Sequence, residues 1–347
     1  MSMHRRRDPR IPCPMVTRAI RPLRATPPAA LAALAAFGLG GCGGPPTGPA
    51  AAPRDVSTTW AYHADRGRFV EMESGRDLAP KELLAAGRAL AQADDADGAL
   101  HAFRAIHASP VDPSLKAEAL REEARTLARA ERRGEAHAAA LEFFDRYPRS
   151  PLLPDALREA FVNAFAYADQ STQAGVQAVR DLLNRYPREE FSAEQAFRLA
   201  ELFFSQQQYA VAAGEFDAVR REYPRSPWAE AALYRIALCA LHQFKGIDYD
   251  ATPLATARRH LELFLFDYPS SPLAPEAKET LARVRALQAR KSMAVADYYD
   301  ARGRQTGARF MYQAVASEFP DTESGAKARE ILKTYPVPEP ASETPLK

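Results

Sequence analysis

The chain has 347 residues, of which 46% are hydrophobic and 26% are charged, which is enough apolar material for a sizeable core. The formal net charge of +2 hides an uneven distribution, because the first 41 residues carry seven arginines and one acid. The remaining chain has 39 basic and 43 acidic side chains, a net charge of −4. This mildly acidic body argues against a nucleic-acid-binding surface.

Residues 1–41 have the pattern of an export leader. A basic segment precedes an apolar run of thirteen residues, Ala29 to Gly41, which is too short to cross a bilayer. The run ends Leu-Gly-Gly-Cys at residues 39–42, which looks like a bacterial lipobox, and this predicts that Cys42 is lipidated. The alternative is an ordinary signal peptide followed by a stray cysteine. Both Met1 and Met15 fit as the start of the leader.

The three cysteines have different predicted fates. Cys13 leaves with the leader and Cys42 carries lipid, so only Cys239 remains, and the mature chain can form no internal disulfide. Cys239 lies in an apolar helical stretch and is predicted to be a small buried hydrophobe. Residues 42–58 are rich in glycine, proline and alanine, which predicts a disordered tether. Residues 59–79 fit either a short hairpin or an extended segment.

From residue 80 to residue 333 the sequence predicts an all-α solenoid of about six helix pairs. Five segments end in an aromatic residue followed by proline: Tyr147-Pro148, Tyr186-Pro187, Tyr223-Pro224, Tyr268-Pro269 and Phe319-Pro320. A small residue stands twelve positions before each of these prolines, and a mostly larger apolar residue follows four positions later. The small residue lets two helices approach closely, and proline ends the helix, so this spacing is typical of the second helix of a tetratricopeptide repeat. A first repeat at 80–110 lacks the aromatic residue.

Two later features lengthen the repeats. An insertion runs from His242 to Pro253, and there Thr252 is predicted to cap the next helix, with Pro253 at its first position. A long helix of 28 residues is predicted from Pro275 to Arg302, with Gly303 as its stop. Residues 334–347 are proline-rich, which predicts a disordered tail.

The sequence contains few signs of catalysis. Its seven histidines have no metal-binding spacing, and it has no glycine-rich phosphate loop and no Gly-x-Ser-x-Gly motif. A nucleophilic cysteine would have to be Cys239, which lies in an apolar helix. We therefore predict no catalytic residues, no metal and no cofactor, and a protein that is not an enzyme.

The chain resembles the BamD family, the tetratricopeptide lipoproteins of the outer-membrane β-barrel assembly machine. The resemblance rests on an ordered set of features: the Lys-Gly-Ile-Asp loop at 245–248, the Asp-Tyr-Pro-Ser-Ser-Pro helix end at 267–272, the long helix with Tyr298, Tyr299 and Arg302 near its end, and the closing Glu-Phe-Pro-Asp-Thr at 318–322. It covers residues 192–333 well, whereas residues 59–190 match only in general architecture.

This resemblance implies a periplasmic scaffold that Cys42 anchors to the inner leaflet of the outer membrane, and Gly43 after the cysteine is consistent with that destination. The implied partners are the periplasmic domains of the barrel insertase, other subunits of the machine and unfolded outer-membrane proteins, with no nucleic acid. In the family, the C-terminal repeats hold the insertase and the N-terminal repeats form a pocket for other partners.

Tyr298, Tyr299, Arg302 and Asp248 are the predicted partner-binding residues, although either tyrosine could instead belong to the core. Asp248 could equally be an ordinary loop residue. A second hypothesis is an envelope coordinator or a pilot lipoprotein for secretion or pili, which would use the same repeat groove. An enzyme is the third reading, and it would need a polar cluster that this sequence does not reveal.

Overall fold

A computed structural model describes residues 60–170, 172–188 and 191–335. The predicted leader, Cys42 and the tether lie outside these residues, as does the tail beyond Tyr335. The described residues belong to one compact unit. No helix in the described ranges is long and apolar enough to span a bilayer.

The described chain begins with three short strands and continues as helices. The strands are β1 (Trp60–His63), β2 (Arg68–Glu71) and β3 (Asp77–Leu78). The helices are α1 (Pro80–Gln92), α2 (Ala96–Ala108), α3 (Pro113–Arg129), α4 (Arg133–Arg146), α5 (Leu153–Gln170), α6 (Thr172–Arg185), α7 (Ser192–Ser205), α8 (Tyr209–Glu222), α9 (Pro227–His242), α10 (Thr252–Asp267), α11 (Ala274–Ala301), α12 (Gln305–Glu318) and α13 (Glu323–Thr334).

The strands form one antiparallel sheet in the order β1-β2-β3, with Trp60 opposite Glu71 and Phe69 opposite Leu78. The sequence left this segment open between a hairpin and an extended chain. Phe69 is fully buried in a core that it shares with Leu83 of α1 and Phe103 of α2. The sheet therefore covers the apolar end of the first helix pair, where a solenoid would otherwise expose its core.

The helices form six consecutive pairs, from α1/α2 to α11/α12, which confirms the predicted tetratricopeptide fold. The small residues of the repeat pattern lie where helices meet: Ala212, Ala257 and Ala308 are fully buried. Gly175 of α6 shows the constraint most clearly, because a Cβ there would lie 2.0 Å from the backbone nitrogen of Ala168 in α5. Any side chain at position 175 would push the two helices apart.

The aromatic residue before each repeat proline ends its helix. The Tyr147 N–H donates to the Phe143 carbonyl at 2.8 Å, and the Tyr147 carbonyl accepts from the Ser150 N–H at 3.0 Å. Tyr223 and Tyr268 repeat both bonds with their own neighbours. The chain thus turns within about three residues toward the next helix, because proline cannot continue the preceding one.

Helix α11 has 28 residues, as predicted, and Gly303 follows it with φ of +67°, a left-handed conformation that favours glycine. Helix α13 lies beyond the six predicted pairs. Thr322 caps it by accepting the Gly325 N–H at 3.1 Å, and Ala328 is fully buried against α12. This single amphipathic helix closes the C-terminal end of the solenoid.

Candidate partner-binding surface

The last turns of α11 carry a stripe of side chains in which Val295, Tyr298 and Arg302 are exposed and Lys291 is half-buried. Lys291, Val295, Tyr298 and Arg302 follow one another at helical spacings of four, three and four residues, so they lie on one face. Tyr298 is 52% exposed and Val295 is 38% exposed. We call these four residues the α11 stripe.

The guanidinium of Arg302 lies over the ring of Tyr298, 4.5 Å from its centroid. A cation at this distance is attracted to the negative face of the ring, so the pair forms a semi-rigid patch with one charged and one aromatic face. Both side chains are exposed. Aromatic and arginine side chains together are the residue types that dominate binding energy at protein interfaces.

Tyr299 differs from its neighbour. It is half-buried, packs against the core that contains Met293 and Tyr312, and lies next to Gly307, whose Cβ would be 3.4 Å from its ring. Its ring meets that of Tyr298 edge to face at 6.0 Å. Tyr299 therefore supports Tyr298 from the core side of α11.

The loop between α9 and α10 is fixed to α11 by a lysine. Lys291 donates from Nζ to the Ile247 carbonyl at 2.7 Å and also to the Tyr249 carbonyl. Gly246 has φ of +134°, a conformation that other residues rarely adopt, and it sets the loop's course. Asp248 and Tyr249 are exposed, and Asp248 forms no ion pair within the described ranges. Lys291 thus connects the predicted loop residue Asp248 with the helix that carries Tyr298 and Arg302.

Asp250, and not Thr252, caps α10, which corrects the prediction from the sequence. The Asp250 Oδ1 accepts the Thr252 N–H at 3.1 Å and the Thr252 hydroxyl at 2.9 Å. Thr252 is already the first helical residue, and the position before it forms no side-chain cap. The hydrogen bond from the Thr252 N–H lowers the pKa of the Asp250 carboxyl most, and the hydrogen bond from the Thr252 hydroxyl lowers it further.

Tyrosine–carboxylate bonds hold α11 against its neighbours. The buried Tyr312 of α12 donates its hydroxyl to Asp297 Oδ1 at 2.8 Å, and Tyr335 donates to Asp300. Both acceptors lie on α11 within three residues of Tyr298. The surface is therefore built on a helix whose position is fixed by α12 and by the residue after α13.

The described residues contain no group of three or more acidic, histidine or cysteine side chains placed to hold a metal ion. Cys239 is fully buried, and burial raises the pKa of its thiol to about 12. A thiol in this state is a poor nucleophile at neutral pH. The features that serve catalysis are thus not assembled around it.

The sequence reasoning missed three members of this surface. Lys291, Val295 and Tyr249 were not singled out, although the first two share the helical spacing of Tyr298 and Arg302. A helical-face search along α11 could have found them. No pattern in the sequence reveals that Lys291 binds the loop, because the partners are backbone carbonyls more than 40 residues away in the chain.

Comparison with known proteins identifies a family whose model matches the region that contains this surface. The model of the YfiO family, described as outer membrane lipoprotein, matches residues 158–335. The outer membrane protein assembly factor BamD of Caulobacter vibrioides is 26% identical over 140 residues, which are 40% of this chain and 46% of that protein. The matched region thus spans about half the length of this relative.

Solved structures with some likeness are tetratricopeptide proteins. A tetratricopeptide repeat protein from Parabacteroides merdae has 14% identity and a TM-score of 0.33. The match covers 73% of this chain and 97% of that protein's chain. The TPR2AB-domain:pHSP90 complex of yeast Sti1 has 13% identity and a TM-score of 0.28, and the match covers 74% of this chain and 96% of that one. At these scores the two structures support no argument about function.

Proposed function

This chain belongs to the YfiO family of outer membrane lipoproteins, and from that premise we propose that it is a non-enzymatic scaffold for assembling outer-membrane β-barrel proteins. The family model covers the repeats that contain the α11 stripe and the loop fixed to it. The relative from Caulobacter vibrioides is named an outer membrane protein assembly factor. Together these observations favour a role in barrel assembly over the role of an envelope coordinator or secretion pilot.

The observation that carries the proposal is the exposed Tyr298–Arg302 pair on a rigid helix. An aromatic ring that is 52% exposed keeps apolar area in contact with water, and a partner that covers it gains stability in proportion to that area. Asp248 adds a negative charge on the loop beside α11, so the surface offers a cation, an anion and an aromatic ring. We propose that this surface binds the periplasmic domains of the barrel insertase, with Tyr299 supporting it from within.

We further propose that lipid on Cys42 holds the scaffold on the periplasmic face of the outer membrane. Each buried CH₂ of an acyl chain contributes about 0.8 kcal/mol, so one chain binds marginally whereas two or more hold firmly. The repeats would then present their surface close to the membrane in which the barrels are inserted. Other assembly subunits and unfolded barrel proteins are the further partners of this proposal.

The test is co-purification from the native envelope. The full-length chain with a C-terminal affinity tag is isolated in mild detergent, and co-purifying proteins are quantified by mass spectrometry. We expect the barrel insertase among them, and we expect its yield to fall several-fold in the double variant Tyr298→Ala, Arg302→Ala. Mass spectrometry of the same sample should show acyl chains on Cys42.

The matched control is the double variant Phe266→Ala, Arg221→Ala, which removes an even more exposed aromatic residue and an exposed arginine from helices α10 and α8. This control should retain the insertase at the wild-type level. If no insertase co-purifies, or if both double variants lose it equally, the proposed function is wrong.

A further inference from the structure

A second surface, on the N-terminal repeats, has a different chemistry. Helices α3, α4 and α5 enclose a groove of about 520 Å³, lined by six alanines and Phe143 and bordered by arginines. Five arginines line it, whereas Glu159 is the one acidic residue among its lining side chains. Most of these arginines precede residue 158, where the family match begins. We call this the arginine groove.

Internal ion pairs neutralise two of the arginines. Arg121 binds Glu159 with both nitrogens of its fork, at 2.7 and 3.1 Å. Arg125 lies 3.3 Å from Glu122 and 3.6 Å from the same Glu159. These two side chains connect α3 to α5 and shape the groove.

The other three arginines leave an excess of positive charge. Arg129 is exposed and forms no ion pair among the described residues. Arg133 donates to the Ala128 carbonyl at 2.6 Å and meets no carboxylate there either. Among the described residues Arg158 pairs with one carboxylate, the exposed Asp155 at 3.4 Å on its own helix, and solvent screens this contact strongly. Its guanidinium also lies 5.8 Å from the centroid of the Phe191 ring.

The lining of the groove also contains polar atoms with no internal partner. Asn163 is 5% exposed, and its Nδ2 donates to the Arg133 carbonyl at 3.0 Å, yet its Oδ1 accepts no hydrogen bond in the described structure. The Nε of Arg133 likewise lacks an acceptor there. Because buried polar groups are normally paired, the lining keeps one unsatisfied acceptor and one unsatisfied donor just beneath the surface of the groove.

From this arrangement we infer that the arginine groove binds an extended, acidic segment of a partner polypeptide. The alanines let a main chain approach closely, and the exposed Val162, 64% accessible, offers apolar contact to a side chain between the acids. The unneutralised arginines match carboxylates in charge, and their forks bind such groups bidentately. A phosphate polymer would meet the charges but would leave the apolar lining uncovered.

This site goes beyond the proposed function, because it lies on repeats other than those that carry the α11 stripe. Its test uses the full chain and a fluorescent nine-residue peptide in which glutamate alternates with valine. Anisotropy should report binding to the wild-type protein, and a matched peptide with glutamine in place of glutamate should bind on the order of tenfold more weakly. Raising the salt concentration from 50 to 500 mM should weaken the acidic peptide alone.

The variant Arg158→Glu should weaken the acidic peptide on the order of tenfold, because it reverses a charge at the edge of the groove. The matched control is Arg221→Glu, an exposed arginine that also pairs with an aspartate of its own helix, and it should leave binding within twofold. Arg129→Glu serves as a second variant, since Arg129 has no ion pair to lose on mutation. Circular dichroism confirms the folding of each protein.

The inference is wrong if the glutamine peptide binds as well as the acidic one, or if Arg158→Glu and Arg221→Glu have equal effects. It is also wrong if inorganic polyphosphate binds while the acidic peptide does not. Arg158→Glu should still co-purify the barrel insertase, so that a failure of this site and a failure of the proposed function give different results.

Discussion

The two ends of the solenoid would each expose an apolar helix face, and each end is covered by a different structure. At the N-terminal end a three-stranded sheet covers the first helix pair, and the buried Glu123 of α3 bonds to Arg104 and His107 of α2. At the C-terminal end a single helix, α13, covers the last pair, and tyrosine hydroxyls bonded to carboxylates join α11 to α12 and to Tyr335. A stack of repeats is open at both ends, so each end needs its own cover.

The difference bears on function. The N-terminal repeats carry an arginine groove with excess positive charge, whereas the C-terminal repeats carry the α11 stripe, in which Tyr298 and Arg302 are exposed. Each surface thus stands on a part of the stack that is held together locally. Because neighbouring repeats contact one another and distant ones do not, we expect damage at one end to leave the other folded.

The largest effect should come from Phe69→Ala. This side chain is fully buried between the sheet and α1/α2, and a Phe→Ala change in such a core costs about 3–5 kcal/mol. Hydrogen exchange should accelerate in α1 and α2 and stay unchanged in α11–α13. Acceleration throughout the solenoid would show that its two ends unfold as one unit. The exposed Phe266→Ala is the control and should change neither region.

Glu123→Gln should have the next largest effect and should depend on pH. Glu123 is 6% exposed and accepts from Arg104 Nε at 2.7 Å and contacts His107 Nε2 at 2.9 Å. Losing hydrogen bonds to charged groups of this kind costs about 1.5–3 kcal/mol at neutral pH. Burial raises the pKa of this carboxyl, but the bonds to His107 and Arg104 more than offset it, so its pKa is lowered.

A lowered folded-state pKa means that this stabilisation is present above the unfolded pKa of about 4.3 and is lost as the pH falls through the folded value. Urea unfolding at pH 7 and at a series of values from 5 to 3 should therefore show the wild-type advantage over Glu123→Gln shrinking with acid. An advantage that stays constant across this range would exclude a charged Glu123 as the source.

Tyr312→Phe should cost less, about 1 kcal/mol, since it removes one hydrogen bond while Asp297 remains open to solvent. Burial raises the pKa of the Tyr312 hydroxyl most, and the hydrogen bond to Asp297 raises it further. The hydroxyl therefore stays protonated and donates at neutral pH. Hydrogen exchange in α11 and α12 measures the effect. Tyr249→Phe, at an exposed ring, is the matched control and should have none.

The smallest effect on stability should come from Arg302→Ala, within about 0.5 kcal/mol, because the side chain is exposed and contacts the exposed ring of Tyr298. Insertase recovery should nevertheless fall. A large loss in the free energy of unfolding would instead assign Arg302 a structural role.

The repeats could be predicted because the signal that ends the second helix of each repeat lies within a short stretch of sequence. Each aromatic residue before a proline ends its own helix through bonds to residues three or four positions away, so twelve residues suffice to recognise it. Helix α13 is also followed by an aromatic–proline pair, Tyr335-Pro336, with the small residue Ser324 twelve positions before the proline, so a complete search for the pattern would have found this helix as well. The strands are two to four residues long, too short for an alternating pattern to separate a hairpin from an extended chain.

The surfaces were predictable only in part. Tyr298 and Arg302 could be proposed from the resemblance, yet the half-buried position of Tyr299 depends on Gly307 of the next helix. The capping role of Asp250 could not be separated from that of Thr252, since both residue types cap helices and they are two positions apart. The arginine groove combines side chains of three helices, so no single stretch of sequence contains its pattern.

The most direct test of the scaffold account is photo-crosslinking from Tyr298 in the native envelope. A benzophenone amino acid replaces Tyr298 in one version of the full chain and Phe266, which is 82% exposed, in another. We predict an adduct between position 298 and the barrel insertase, and none from position 266. No adduct at position 298, or equal adducts from both positions, would contradict the claim that this face of α11 holds the partner.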